Sequence, residues 1–480
     1  MSPKINRARA RGLAAMSIAT AAVCLLATGC FAPGYAAPPQ SASPAPLQCT
    51  VRDGFTLAAV GDVIISNPES ANDNPEFQAQ LKLLRGADVT FGNFEGTAID
   101  IRHFPGSPQA ESGGAWIVDS PLVPADLKNM GFTMMNRANN HTTDWGVAGM
   151  AETDRLLDQA GIVHAGTGKD LAAARAPQYL QIPKGRVALV GMASSFTPMS
   201  VAADPSGIVP GRGGVDAMHT TRWVTVTPEA MQALVKLHNG LPDQADKPIT
   251  GTPKQLVLLG THYRLSDQFG YDFEMNQTDL AAILRNIREG KESADFLIAT
   301  IHCHEPGNWS TKPPDFLVTL AHDAIDNGAD VFIGHGPHQL RGIEIYKGKP
   351  IFYSLANYYF EEYQQQVIPA ALYAGFNVDP NTGIPAEFQD VRASREFGGS
   401  QYYTSVIAVS TYERGQVSEI HLYPIDLGID RRWNQRGVPR LASPDVARSI
   451  LERLADLSKP FGTAIEIQGS VGLIRVQPAQ

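Results

Sequence analysis

The sequence predicts a layered α/β fold, and three observations carry that prediction. Short runs rich in β-branched and aromatic residues alternate with longer segments whose apolar residues recur at helical spacing. Carboxylate, amide and imidazole residues closely follow five of the β-type runs, and the carboxyl ends of strands are where α/β folds collect ligands. Those polar residues reach from Asp62 to His338. If they share one site, no domain boundary divides the chain between them, although 480 residues alone suggest about three domains.

The chain opens with a segment that reads as a leader rather than as fold. Lys4, Arg7, Arg9 and Arg11 precede an uncharged apolar stretch over 13–28, and Leu-Ala-Thr-Gly stands directly before Cys30. Residues 1–29 are therefore expected to be a secretory signal with a lipobox-like junction, the apolar stretch being shorter than the ~20 residues of a membrane span. Ordinary cleavage near Ala36 is the alternative. Either way the protein is expected in the bacterial cell envelope, as a lipid-anchored membrane protein or as a secreted one. The Pro-, Ser- and Ala-rich residues 30–50 read as a tether.

The body is expected over 51–430. Its first strands fall at 57–60, 89–91 and 132–135, followed by a helix over 150–160 and a strand at 187–190. Helices over 228–238, 277–288 and 315–326 then alternate with strands at 255–259, 296–301, 331–333, 350–353 and 405–410. Residues 374–399 have little periodicity and read as a long loop, a candidate lid. Residues 431–480 are expected to add a helix from Pro444 and a pair of strands, at 464–467 and 472–476, packed on the body.

Charge and cysteine usage narrow the function. Asp and Glu number 48 against 39 Lys and Arg, a net charge of −9 that argues against nucleic acid as a partner. An anionic polymer would have to be met by local metals or Arg rather than by bulk attraction. Cys303 lies between His302 and His304, so on an extended strand it faces away from both and reads as a small buried hydrophobe rather than as a partner of Cys49.

The chemistry-bearing residues are Asp62; Asn93 and Glu95 in Gly-Asn-Phe-Glu-Gly; Asn140, His141 and Asp144 in Asn-Asn-His-Thr-Thr-Asp; His302 and His304; and His335 and His338 in Gly-His-Gly-Pro-His. Mixed oxygen and nitrogen donors of this kind suit Mn, Fe or Zn better than Ca or Mg. Asp62, Glu95, Asn140, His302, His335 and His338 are the candidate ligands of divalent transition metals, two ions in all. Asp144 stands within reach of one His141 ring nitrogen, an arrangement that fixes an imidazole tautomer, so His141 is the candidate general acid. Asn93, His304, Arg212 in Pro-Gly-Arg-Gly-Gly and His262 in Thr-His-Tyr-Arg are candidate substrate contacts. Tyr353, Asn357, Tyr358 and Tyr359 read equally as pocket wall or core.

As a set, these stretches resemble the poly-γ-glutamate capsule-synthesis family, CapA, whose domain is similar to the calcineurin-like metallophosphoesterases. Ala-Val-Gly-Asp-Val, Gly-Asn-Phe-Glu-Gly, Ala-Asn-Asn-His-Thr-Thr-Asp-Trp-Gly, Pro-Gly-Arg-Gly-Gly-Val and Gly-His-Gly-Pro-His carry the resemblance, which covers roughly 55–425. It implies an α/β/β/α sandwich of metallo-dependent phosphatase type, with Glu95 in the segment that supplies a bridging carboxylate and His302 as the family's histidine. It also implies a metal-dependent hydrolase of amide or phosphoester bonds that acts on an anionic capsule polymer, in contact with a membrane synthase complex. A non-catalytic assembly and export factor is the rival reading. Three departures stand out: Ile64 replaces the phosphoesterase His, the last motif is His-x-x-His rather than His-x-His, and Ser354–Asn357 reads Ser-Leu-Ala-Asn where the family has Ser-Leu-Gly-Asn.

Overall fold

Alternation along the Phe55–Ile64 strand explains the layering of the molecule. Leu57 and Ala59 turn to one side, into a core shared with Val89, Phe91 and Met134 of the same sheet. Val187, Leu189, Phe296, Ile298, Val331 and Ile333 of a second sheet meet them there. Ala58 and Val60 turn to the other side, against Phe77, Leu81, Leu84, Leu127 and Met130 of two helices, Pro75–Gly86 and Val123–Met130. The second sheet repeats the pattern: Ala188, Val190, Leu297 and Ala299 face outward onto Ile283, Ile287, Leu317 and Leu320 of the helices Gln277–Glu292 and Asp315–Asp326. Two sheets face each other with helices outside, the α/β/β/α sandwich expected from the sequence. Each fully buried Leu, Ile or Phe contributes roughly 1.5–3 kcal/mol, so the double core is the main source of stability.

This computed structural model describes residues 50–110, 115–244, 246–361, 364–365 and 367–476. The expected leader, the lipobox at Cys30, most of the tether and Cys49 lie outside the described residues. None of the described helices is long and apolar enough to cross a membrane.

In the first sheet, Phe55–Ile64 lies between parallel neighbours Val89–Phe94 and Asn357–Phe360, and Met134–Asn136 and Val163–Ala165 extend it on the Val89–Phe94 side. Antiparallel Thr404–Glu413 and Gln416–Asp426 continue it on the other side, and Val471–Arg475 and Glu466–Gln468 close that edge. The second sheet places Phe296–His302 between Gly185–Ala193 and Val331–His335, all parallel. The helix Pro444–Ser458 lays Ile450, Leu451 and Leu454 on the inter-sheet core. Parallel central strands bring several strand ends to one rim.

Two expectations change. The run at 255–259 belongs to a separate four-stranded sheet, formed by Thr220–Val226, Gln255–Leu258, Thr261–Leu265 and Gly270–Met275, with its own small core under the helix Pro228–Gly240. The stretch read as a loop contains the helix Pro385–Glu396, with a proline in its first turn, Glu387 near its start and Arg395 near its end. Its sparse apolar residues and flanking Gly, Pro and Asn conceal the helical period.

Candidate metal centre

Cross-strand register builds the site as two facing rows. In the first sheet Asp62 pairs with Asn93 on one side and Asn357 on the other, and Asn93 pairs in turn with Asn136. In the second sheet His302 pairs with His335. Both rows lie at the carboxyl ends of parallel strands, where side chains have left the hydrogen-bond ladder but the strands still fix their positions.

Asp62, His302 and His335 offer donor atoms that all lie within 4.8 Å of one another, and so do Glu95, His304 and His338. In the first group Asp62 Oδ1 is 3.7 Å from His302 Nδ1 and 3.6 Å from His335 Nδ1, and the two rings approach to 3.0 Å. His302 reaches the second group through its other nitrogen, with Nε2 2.9 Å from His304 Nε2 and 3.5 Å from Glu95 Oε1. Ligands held about 2.1 Å from an ion stand roughly 3.0–3.4 Å apart in octahedral or tetrahedral arrangements. A neutral imidazole has one N–H to give, so rings facing each other through both nitrogens of His302 suit a cation between them. Each of the two groups therefore offers the donor set of a metal site.

The surroundings hold these groups in place. Asn93 donates to Asp62 Oδ1 at 2.8 Å, and its own oxygen accepts from Asn136 and Asn139. The Gly336 amide donates to Asp62 Oδ2. Asn357 Oδ1 meets His338 Nδ1 at 2.8 Å, and Asn308 Oδ1 meets His304 Nδ1 at 2.7 Å. The buried Arg137 donates to the carbonyls of Phe94 and Gly96, on either side of Glu95. His338 sits at φ 56, a left-handed conformation that non-glycine residues rarely adopt and that clusters at functional sites.

Burial sets the charge of the unmetallated site. It pushes Asp62 up to about 7 despite the hydrogen bonds from Asn93 and Gly336 that oppose it. It holds His302, His335 and His338 well below the ordinary imidazole range and brings His304 down to about 4. The imidazoles are thus neutral, the form that ligates a metal.

A cavity of about 340 Å³ opens onto the second group at His304 and His338, and Asn140, His141, Ser194 and Glu305 also line it. His141 Nδ1 lies 2.8 Å from Asp144 Oδ2, and the same carboxylate oxygen accepts from the Ile117 amide. A carboxylate only accepts, so Nδ1 carries the proton and Nε2, 4.0 Å from Glu95 Oε1, is turned to the metal groups. The Asn140 side-chain oxygen is buried and finds no hydrogen-bond partner among the described residues, as a lone pair reserved for a ligand would be.

With this geometry established, relatives can be weighed. Residues 56–362 match the family model described as bacterial capsule synthesis protein PGA_cap. The chain belongs to that family. It is 50% identical to the uncharacterized protein y4sH of Sinorhizobium fredii over 439 residues, 89% of this chain and 94% of that one. It is 24% identical to the PGA biosynthesis protein CapA of Bacillus subtilis, covering 65% of this chain and 64% of the relative. A probable polyglutamine synthesis accessory protein of Mycobacterium tuberculosis is 30% identical over 45% of this chain and 42% of its own. A crystal structure described as a novel phosphatase from Mycoplasma pneumoniae aligns with 83% of this chain and 97% of its own at 11% identity, with a TM-score of 0.32, too low to carry an argument.

In this member of the PGA_cap family the structure brings together Asp62, Glu95, Asn140, His141, Asp144, His302, His335 and His338, and adds His304. His304 was expected to touch substrate, yet it shares a donor group with Glu95 and His338. Asn93 was also expected to touch substrate; it is fully buried and both ends of its amide are engaged within the site, so it orients Asp62 instead. Arg212 is exposed, donates to the Val201 carbonyl and does not line the cavity. His262 stands on the separate four-stranded sheet against Trp223, and Arg264 beside it is engaged by Asp272 and Glu274. Tyr353, Tyr358 and Tyr359 are core. Ile64 packs into the helix-side core, and Ala356 keeps the family's turn by adopting φ 60, the conformation a glycine takes freely. Cys303 is buried in the outer core of the second sheet, where burial raises its thiol. Asn308 and Arg137 escaped the sequence reading, and Asn357, read as pocket wall or core, holds His338 through its side-chain oxygen.

Proposed function

We propose that this protein is a metal-dependent hydrolase of the bacterial cell envelope that makes, trims or anchors poly-γ-glutamate or a related anionic capsule polymer. The observation that carries this reading is a pair of adjoining carboxylate–imidazole groups, the second of which reaches through His304 and His338 a cavity that His141, paired with Asp144, also lines. Two divalent ions of Mn, Fe or Zn, held by Asp62, His302 and His335 and by Glu95, His304 and His338 with Asn140 nearby, would supply Lewis acidity and activate water near neutral pH. Asn93, Asn308 and Asn357 fix the ligand side chains, so little reorganisation accompanies the reaction. Asp144 accepts from Nδ1–H and favours the imidazolium form of His141, which, having taken up a second proton at Nε2 toward the cavity, passes that proton to the departing nitrogen or oxygen.

The names of the Bacillus and Mycobacterium relatives support a glutamate-type polymer as substrate and a synthesis system as partner. The Cys30 junction supports an anchor that holds the body near a membrane synthase. A second reading, a metal-stabilised assembly factor without turnover, draws on Ile64, which packs in the core where the phosphoesterases carry a ligand. The test is the metal content of the purified protein together with its rate on γ-glutamyl polymers and on generic phosphoesters. Bound metal with turnover of either substrate supports the hydrolase; bound metal without turnover of both supports the assembly factor.

A further inference from the structure

Beside the metal centre lies a second cavity of about 470 Å³ that the proposed reaction does not use. One layer of hydrogen-bonded groups separates the two. Asn308, which holds His304, offers its carbonyl to Gln339 Nε2 and to Tyr402 Oη; Gln339 directly follows His338, and Gln339 and Tyr402 both line the second cavity. Trp309, next in the chain after Asn308, stands at the cavity with 66% of its surface exposed.

Among the described residues, the only charged group in the lining is Arg453, half-buried on the helix Pro444–Ser458. Its Nη2 donates to Gln339 Oε1 at 2.8 Å. Among the described residues it forms no ion pair, and no carboxylate lines the cavity, in a chain whose net charge is −9. Hydroxyls of Thr311, Ser449 and Tyr402 complete the wall. A guanidinium set among hydroxyls, with no acid to neutralise it, is the chemistry that recognises a carboxylate or phosphate.

We infer that this cavity is an anion subsite in which Arg453 holds a carboxylate on the polymer unit next to the one at the metal centre, with the exposed Trp309 ring against the apolar methylenes between them. The inference rests on the proposed polyanionic substrate. It gives an acidic protein a local means of holding an acidic polymer. It also couples substrate length to the site, because Arg453 is tied through Gln339 to the loop that carries His338 and through Asn308 to His304.

The test is equilibrium binding of γ-linked glutamate oligomers of increasing length, and separately of inorganic phosphate, to the purified protein by titration calorimetry. Binding of the oligomers should tighten with length and weaken about tenfold or more in Arg453→Gln, the scale of a charge-assisted hydrogen bond, with partial recovery in Arg453→Lys. Ser449→Asp, which places a carboxylate in the same cavity without removing the arginine, should weaken binding comparably and keeps the test valid if Arg453→Gln does not fold. Arg453-dependent binding of phosphate without any binding of γ-glutamyl oligomers would keep the anion subsite and overturn the polyglutamate reading. Equal binding of oligomers and phosphate by the wild type, Arg453→Gln and Ser449→Asp would overturn the subsite, whatever the metal centre does.

Discussion

Gly61 passes so close to Ala356 that a Cβ on the glycine would lie 1.8 Å from the alanine carbonyl oxygen. The same carbonyl accepts the Asp62 amide at 2.9 Å, so the contact that forbids a side chain at 61 also sets the position of the first metal-facing carboxylate. Gly61→Ala is expected to force the two strand ends apart at a cost of about 3 kcal/mol, the upper range for overpacking, and to lower metal content as well. Thermal unfolding and metal analysis of the variant check both effects. A variant with wild-type stability and full metal would show that the turn yields freely.

Each donor group should matter separately. Asp62→Ala or His335→Ala should deplete the ion of the first group, and His304→Ala or His338→Ala that of the second. Metal-to-protein ratios should fall by about one ion in either case and by two in a combined variant. Asn93→Ala, which removes the hydrogen bond that orients Asp62 and the acceptor shared by Asn136 and Asn139 but no metal donor, should weaken metal affinity by about 10- to 100-fold. Undiminished metal in His304→Ala would return that residue to the substrate wall.

Turnover and metal binding should separate at His141. His141→Gln should keep its metal while losing roughly 10²- to 10⁴-fold in rate, the usual contribution of general acid catalysis. Parallel loss of both would make His141 a ligand.

A pH effect follows from Glu361, whose carboxylate accepts the Ser66 amide and which burial raises from 4.5 to about 8. The folded state then holds a proton that the unfolded chain has released, throughout the window between those values. Stability contributed by this group is complete below about 4.5 and declines as pH rises to 8. Glu361→Gln removes the titration. Its unfolding midpoint, measured relative to wild type, should therefore rise steadily from pH 5 to pH 8, whereas a constant difference would mean that Glu361 ionises normally.

The proposed lipid anchor is tested at its junction. Cys30→Ser should move the protein from the membrane to the soluble fraction, and membrane association that persists in cleaved Cys30→Ser protein would exclude lipid at this residue.

Much of the centre could be read from sequence because its ligands obey a local rule: a polar residue just past an apolar run lies at a strand end. Asp62, His302 and His335 fit that rule, and parallel pairing brought them to one rim. The same rule failed for His262, because local pattern does not reveal which sheet a strand joins. Asn93 was misplaced because its residue type does not reveal that Asn136 and Asn139 would occupy its oxygen. The role of His304 depends on how the chain turns after His302, which two-residue alternation does not specify. The helix Gly146–Ala160 has no side-chain cap, so Asp144 just before it serves His141 and the Ile117 amide. The α/β layering was legible in the alternation of strand and helix runs, and the sandwich came with the family resemblance; the helix Pro385–Glu396 was not legible, since only Phe388 and Ala393 of its described side chains join a hydrophobic core.

Asp62 lies in one sheet, with Glu95 just past the end of the neighbouring strand Val89–Phe94, and His302 and His335 lie in the other, so any ion bound between them works as a clasp across the sandwich. Its loss would unfasten one rim of the molecule, in the hydrolase and the assembly-factor readings alike. Such a protein would carry a record of metal supply in its own lifetime, since copies made in scarcity would open and be degraded sooner than copies made in plenty.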